Sequence, residues 1–189
     1  MAHIFDLVAL RRAAAAAEPL AYRFFWGHRP RKDAALSDSC FSQWWRCRFV
    51  VDGQPYSSAE QYMMAGKARL FGDGEALARI LAADEPDRIK ALGRQVTGYD
   101  EEAWAARRFD IVTAGNVEKF GQDEQLRRYL LATDDEIIVE ASPVDRVWGI
   151  GLPAAHEDAN RPERWPGLNL LGFALARARA ILRGELPRP

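Results

Sequence analysis

Glu60, Met64, Lys67 and Phe71 recur at helical spacing within residues 58–71. At ~100° per residue, with Glu60 taken as zero, Met64, Lys67 and Phe71 fall within roughly 40° of it and Met63 lies near −60°. One stripe therefore mixes an acid and an amine with apolar side chains, where an amphipathic helix should turn an apolar stripe to the core. Ionisable groups held against apolar surface have displaced pKa values and tend to belong to sites. From Glu60 to Lys67 the helix rises ~10.5 Å, too far for a tight ion pair but suited to gripping two parts of one ligand. A solvated face, or a lysine reaching outward along its alkyl stem, gives the same pattern without a site.

Lysine is scarce: the chain has 22 Arg and four Lys, at 32, 67, 90 and 119. Compositional preference for arginine accounts for this imbalance, and the alanine richness matches it. A position that keeps lysine also points to a need for an amine, because a guanidinium stays protonated and cannot become a nucleophile. Weaker signals lie elsewhere. Gly93-Arg94 follows a helix end, where Arg94 can clamp a phosphate or simply meet solvent. Asp145, Trp148, Gly149 and Gly151 put an acid and an indole beside glycines that let backbone approach a ligand. That stretch lacks the strand-turn-helix setting of a nucleotide fingerprint. Asn169 is read as a helix cap whose carboxamide can also serve a ligand.

These groups need a scaffold. A helix is predicted over 6–18, ended by Pro19, as a packing helix or a loose arm. A strand over 23–26 is closed by Gly27 and Pro30, and 29–43 reads as a surface loop. Residues 46–51 alternate and turn at Asp52-Gly53 toward Tyr56, a hairpin. Helices follow over 58–71, 74–82, 86–92 and 100–120, the last broken by Gly121, and then over 122–132. A strand over 136–140, an irregular stretch over 142–167 and a helix to Leu182 complete the chain. The expectation is one α+β domain, mostly helical, with a small sheet of short strands.

Composition narrows the function. At 189 residues with 48% hydrophobic residues the chain can bury a core, and a net charge of −1 argues against a surface dominated by nucleic-acid backbone contacts. Cys40 and Cys47 make no disulfide framework, and no His, Cys or carboxylate group has metal-ligand spacing. No metal and no cofactor are expected. The apolar runs are too short to span a bilayer and no basic leader precedes them, so a cytoplasmic protein without a membrane partner is expected.

The run Tyr56-Ser57-Ser58-Ala59-Glu60-Gln61-Tyr62-Met63-Met64-Ala65-Gly66-Lys67-Ala68, then Leu70-Phe71-Gly72-Asp73, resembles the signature of the NADAR (YbiA-like) family. Further ordered matches are Lys90-Ala91-Leu92-Gly93-Arg94, Trp104, Gly115-Asn116-Val117-Glu118-Lys119-Phe120, Ala141-Ser142-Pro143, Asp145, Trp148-Gly149-Ile150-Gly151, Trp165-Pro166-Gly167 and Asn169-Leu170-Leu171-Gly172. The resemblance implies a catalytic domain over 23–183, an N-terminal helical extension over 1–22 and a tail over 184–189. Residues 36–42 replace the family's Leu-Ser-Asn-plus-aromatics segment, which leaves Ser37 as its substrate-contact candidate.

The resemblance also implies an N-glycosidase acting on ribose attached to a base nitrogen. Its substrate would be ADP-ribose on guanine, as base or nucleic acid, or a ribosylamino-pyrimidine phosphate of riboflavin synthesis. By motif position Lys67 would capture the anomeric carbon as a Schiff base, with Glu60 or Asp145 as the acid. Trp148, Trp104 or Trp26 would stack on a base, while Arg94 and the backbone of Gly149 and Gly151 would hold phosphate. A carboxylate pair without the amine step, and a non-catalytic ADP-ribose reader, are the alternatives.

Overall fold

The computed structural model describes residues 3–29 and 36–188. Its elements in chain order are α1 (Leu7–Ala15), β1 (Tyr22–Phe25), β2 (Phe49–Val51), β3 (Gln54–Tyr56), α2 (Ala59–Leu70), α3 (Gly74–Ala82), α4 (Pro86–Gly93), α5 (Glu101–Gln122), α6 (Glu124–Leu131), β4 (Ile137–Glu140) and α7 (Leu170–Leu182), with 3₁₀ turns at Asp38–Phe41 and Pro162–Arg164. The fold is α+β and mostly helical. The strands form two separate pairs, β1 parallel to β4 and β2 antiparallel to β3.

Short side-chain caps start the helices: the Asp6, Ser58, Asp73, Asp100 and Asp123 oxygens accept amides of the first turn. The Asp123 cap, with Oδ1 accepting from Gln125 and Leu126, makes the break between α5 and α6. Gly121 stays helical, against the expectation, and packs near Leu182. Helix α2 lies against α3, α4 and α5. Gly66 faces the Ile111 side chain and Gly115 the Tyr62 ring so closely that an added Cβ would come within 2.7 and 2.6 Å of them. The face of Ala65 and Ala68 is therefore core, and the stripe of Glu60 and Lys67 is left for another purpose.

Two readings need correction. The stretch 29–43 is not simply a surface loop. Residues 30–35 lie outside the described residues, but Cys40 and Phe41 are fully buried. The cause is Lys119, also fully buried, whose amine donates to the Cys40 and Ser42 carbonyls at 2.6 and 2.8 Å. Asn169 does not cap α7 with its side chain. It sits at φ 54°, in the left-handed region. Its Nδ2 donates to the Ile138 carbonyl and its Oδ1 accepts the Glu140 amide, at 2.9 and 3.0 Å. The first amides of α7 are satisfied instead by carbonyls of the preceding loop, Leu170 by Val147 and Leu171 by Trp148.

The N-terminal segment is docked. Leu10 is buried in a small cluster with Ile137, Val139, Ile150, Trp165 and Phe173, and the Arg11 guanidinium donates to the Pro162 carbonyl. Among the described residues, no helix is long and apolar enough to cross a membrane.

The junction of α7 with β4 tolerates no side chain at Gly172, where a Cβ would lie 2.0 Å from the Ile138 carbonyl oxygen. Gly172→Ala is expected to lose about 1–3 kcal/mol of unfolding free energy, read as a lower urea midpoint.

Candidate active site

A cavity of about 680 Å³ opens where α2, α4, the start of α5, the ends of β1 and β4 and the loop after β4 converge. It collects Glu60, Lys67, Arg94, Trp104, Asp145, Trp148 and Trp26 on its walls. Ser37, Gly149, Gly151 and Asn169 are not among its lining residues. Ser37 is buried and its hydroxyl meets that of Ser39. Gly149 is closed in by the Glu140 and Asp145 carbonyls, and Gly151, at φ +73°, turns against Pro166. These glycines shape the loop that carries Asp145 and Trp148.

Glu60 is 3% exposed at the start of α2. Burial raises its carboxyl to about 7; the Lys90 ammonium, a hydrogen bond from the Trp44 indole and Arg94 oppose that rise, and Asp145 adds to it. Asp145 has a different environment. Its Oδ1 accepts the amides of Val147 and Trp148, both at 2.8 Å, and its own amide donates to Ser142. Those bonds fix the orientation of its carboxyl group at the cavity wall.

Lys67 projects from the far end of α2. Its amine donates to the Gly93 carbonyl at 3.0 Å and lies 4.1 Å from the Tyr99 ring centroid and 6.0 Å from that of Trp104. Burial lowers its pKa from the usual lysine range, with Glu101 opposing. Gly93 is what lets the carbonyl come so near, since a Cβ there would overlap the Met64 sulfur. Phe71, the last member of the stripe, supports Tyr99 edge-on at 5.4 Å rather than lining the cavity.

Three contributors escaped the sequence reading as functional residues. Trp44 presents its indole to Glu60, with the His28 ring 5.4 Å away and the Lys90 amine 5.3 Å from the ring centre. Lys90 faces the acids from α4. Glu140 ends β4; its Oε2 is enclosed with no hydrogen-bond partner among the described residues, an arrangement that costs on the order of 1–3 kcal/mol. Burial raises this carboxyl to about 8, helped by the charges of Asp145 and Glu60 and opposed by Lys90. An acid closing a run of three buried β-branched residues was the available signal. Although three carboxylates converge, no group of His, Cys, Asp or Glu among the described residues is placed to hold a metal ion.

A second cavity, of about 600 Å³, lies between the N-terminal segment, β4 and α7. Its arginines are already engaged, Arg179 by Thr133 and the Glu136 carbonyl and Arg183 by Asp135 and the Asp134 carbonyl. The chemistry therefore belongs to the first cavity.

The NADAR domain profile matches residues 24–183. The chain belongs to the NADAR family. A protein named N-glycosidase from Acanthamoeba polyphaga mimivirus is 47% identical over 145 residues, covering 74% of this chain and 85% of that protein. Another named N-glycosidase, from Nostoc punctiforme, is 31% identical over 147 residues, covering 78% and 87%. The NMR structure of E. coli YbiA superposes with a TM-score of 0.64 at 23% identity, covering 88% of this chain and 89% of that one, and so shares the fold. In this NADAR domain the segment that most resembles the family signature is the helix that carries Glu60 and Lys67 into the cavity.

A carboxyl whose folded pKa is raised binds its proton more tightly in the native than in the unfolded chain. Its contribution to stability is full below the ordinary glutamate value of 4.5 and is lost as pH rises through about 7 and about 8. Glu140→Gln should therefore gain stability relative to the parent as pH is raised from about 5 to about 8.5, measured as the difference in Tm at each pH.

Proposed function

We propose that this cavity is the active site of an N-glycosidase that removes ADP-ribose from modified guanine. The observation that carries the reading is a single helix wall holding an amine biased toward its neutral form and a carboxyl biased toward its protonated form. A nucleophilic amine and a general acid are what exchange at an anomeric carbon requires. The cavity volume falls within the range of roughly 300–1,000 Å³ typical of sites for small ligands and cofactors.

In the first step Glu60 gives its proton to the ribose ring oxygen. The C1′–O bond opens, its electron pair goes to that oxygen, and the base nitrogen shares its lone pair with C1′. Neutral Lys67 then adds to C1′ through Nζ, and the Glu60 carboxylate takes one proton from the resulting ammonium. The base nitrogen leaves as C1′–N breaks, and an imine joins Lys67 to the opened sugar. Water adds to that imine and releases the sugar aldehyde and the free amine; one water is consumed overall. Asp145 serves as a fixed anion beside the cationic intermediates. The exposed Trp26 and the walls formed by Trp104 and Trp148 offer planes to the base and adenine, and Arg94 a cation to the diphosphate.

The test pairs turnover with trapping. Protein is incubated with ADP-ribosylated guanine oligonucleotide and, separately, with a ribosylamino-pyrimidine phosphate, and released base and sugar are measured. Borohydride added during turnover should leave a reduced sugar adduct on the Lys67 peptide. Lys67→Arg should lower kcat by about 10³-fold or more, because guanidinium stays protonated, and Glu60→Gln by about 10²–10⁴-fold with binding retained. Near-parent rates in Lys67→Arg with no adduct would refute the covalent route. Release from the pyrimidine substrate alone would reassign the substrate, and binding without turnover in the parent would make the protein a reader.

A further inference from the structure

The reading above leaves the departing nitrogen without a named proton donor, and the cavity holds an acid that no step uses. We propose that Glu140 is a second catalytic acid, which protonates the base nitrogen as its bond to C1′ breaks. The proposal rests on the N-glycosidase reading of the same cavity and goes beyond it in assigning separate acids to the sugar and to the base.

Placement comes first. β1 and β4 run parallel with Phe25 opposite Glu140, so the two strands end side by side. The residue after Phe25 is Trp26, whose indole is 64% exposed at the cavity wall. The fold thus delivers an open aromatic face and a carboxyl from adjacent strand ends. A flat heterocycle stacked on Trp26 would lie on the cavity wall that Glu140 shares. Trp44 is less suited as the platform, because His28 and Lys90 already lie against its ring.

Rigidity comes second. The Glu140 amide donates to Asn169 Oδ1 at 3.0 Å and its carbonyl accepts from the Ile150 amide at 2.9 Å. A backbone held on both sides confines the carboxyl to the cavity wall. Its Oε2 is enclosed and makes no hydrogen bond among the described residues. Enclosure of that oxygen disfavours the carboxylate and keeps the proton on the carboxyl, while the residue itself lines the cavity.

The groups facing Glu140 are Glu60 from α2, Lys90 from α4 and Asp145 from the loop after β4. Burial first, and then two acids against one amine, keep the proton on Glu140 near neutral pH, in line with a carboxyl raised to about 8. The step balances. The Glu140 carboxyl proton, presented through the oxygen on the cavity side, passes to nitrogen, the C1′–N bonding pair goes to the same nitrogen, and the base leaves neutral. Glu140, now a carboxylate, takes a proton from the water that hydrolyses the Lys67 imine.

The experiment uses the full chain and a series of N-(ADP-ribosyl) aryl amines whose parent amines span several units of basicity. For Glu140→Gln, kcat on the guanine substrate should fall by about 10²–10⁴-fold. The dependence of log kcat on amine basicity should steepen, so that the least basic amine is cleaved within about tenfold of the parent rate, since a good leaving group needs no proton. Above about pH 8 the parent's alkaline limb should fall more steeply than the variant's, which keeps only the limb set by Glu60. An equal loss across the series would make Glu140 merely structural and overturn the proposal, as would no loss at all. Glutamate-selective carbon-13 titration of the parent gives a check independent of the variant's folding, because a Glu140 carboxyl titrating in the ordinary range would also overturn it. A parent that cleaves neither the guanine substrate nor any amine would overturn the N-glycosidase reading itself.

Discussion

Helix α2 approaches its neighbours more closely than side chains would allow, and the site follows from that. Glycines stand at the crossings: Gly66 and Gly115 between α2 and α5, and Gly93 beneath Met64 between α2 and α4. With three helices fitted around it, α2 has one direction left in which to present polar groups. Glu60 and Lys67 occupy that direction. Their displaced ionisation follows from the closeness of the packing, since both are shifted chiefly by removal from water. The same closeness brings the Gly93 carbonyl to the amine and so orients Lys67, while the Glu101 carboxylate only partly offsets the effect of burial.

The opposite wall is organised by a different device. The loop after β4 lends its carbonyls to the unsatisfied amides at the start of α7, while Asn169 reaches back to β4. One residue in a left-handed conformation thereby joins a strand end, a loop and a helix start. Asp145, Trp148 and Glu140 all sit within two residues of a backbone bonded in this network. Their placement is a property of the main chain and is largely indifferent to the side chains between them.

Most helices were legible because their signals are local. The Ser58 cap, the Asp73 and Asp100 caps, Pro86 in a first turn and the helical stripe of Glu60 and Lys67 can all be read within one or two turns. What stayed illegible depends on partners far along the chain. Phe41 reads as part of a polar loop until Lys119, some eighty residues later, ties the neighbouring carbonyls down. Asn169 has the residue type of a helix cap and spends its side chain on a strand. Glu140 looks like the end of a buried strand, and only the convergence of α2, α4 and the following loop makes it one of three acids. Gly149 and Gly151 promised a phosphate cradle, whereas their lack of a side chain serves chain crossing.

The buried Lys119 bears on the lopsided basic composition. Three of the four lysines lie among the described residues: Lys67 and Lys90 face the cavity, and Lys119 holds the segment that carries its Trp44 wall. Elsewhere the chain uses arginine as its cation. Between the carbonyls of Cys40 and Ser42 there is room for a compact ammonium with rotatable donors, and a planar guanidinium would force the turn away from α5. In this chain two of the lysines in view face the cavity and the third, buried, braces the segment behind its wall.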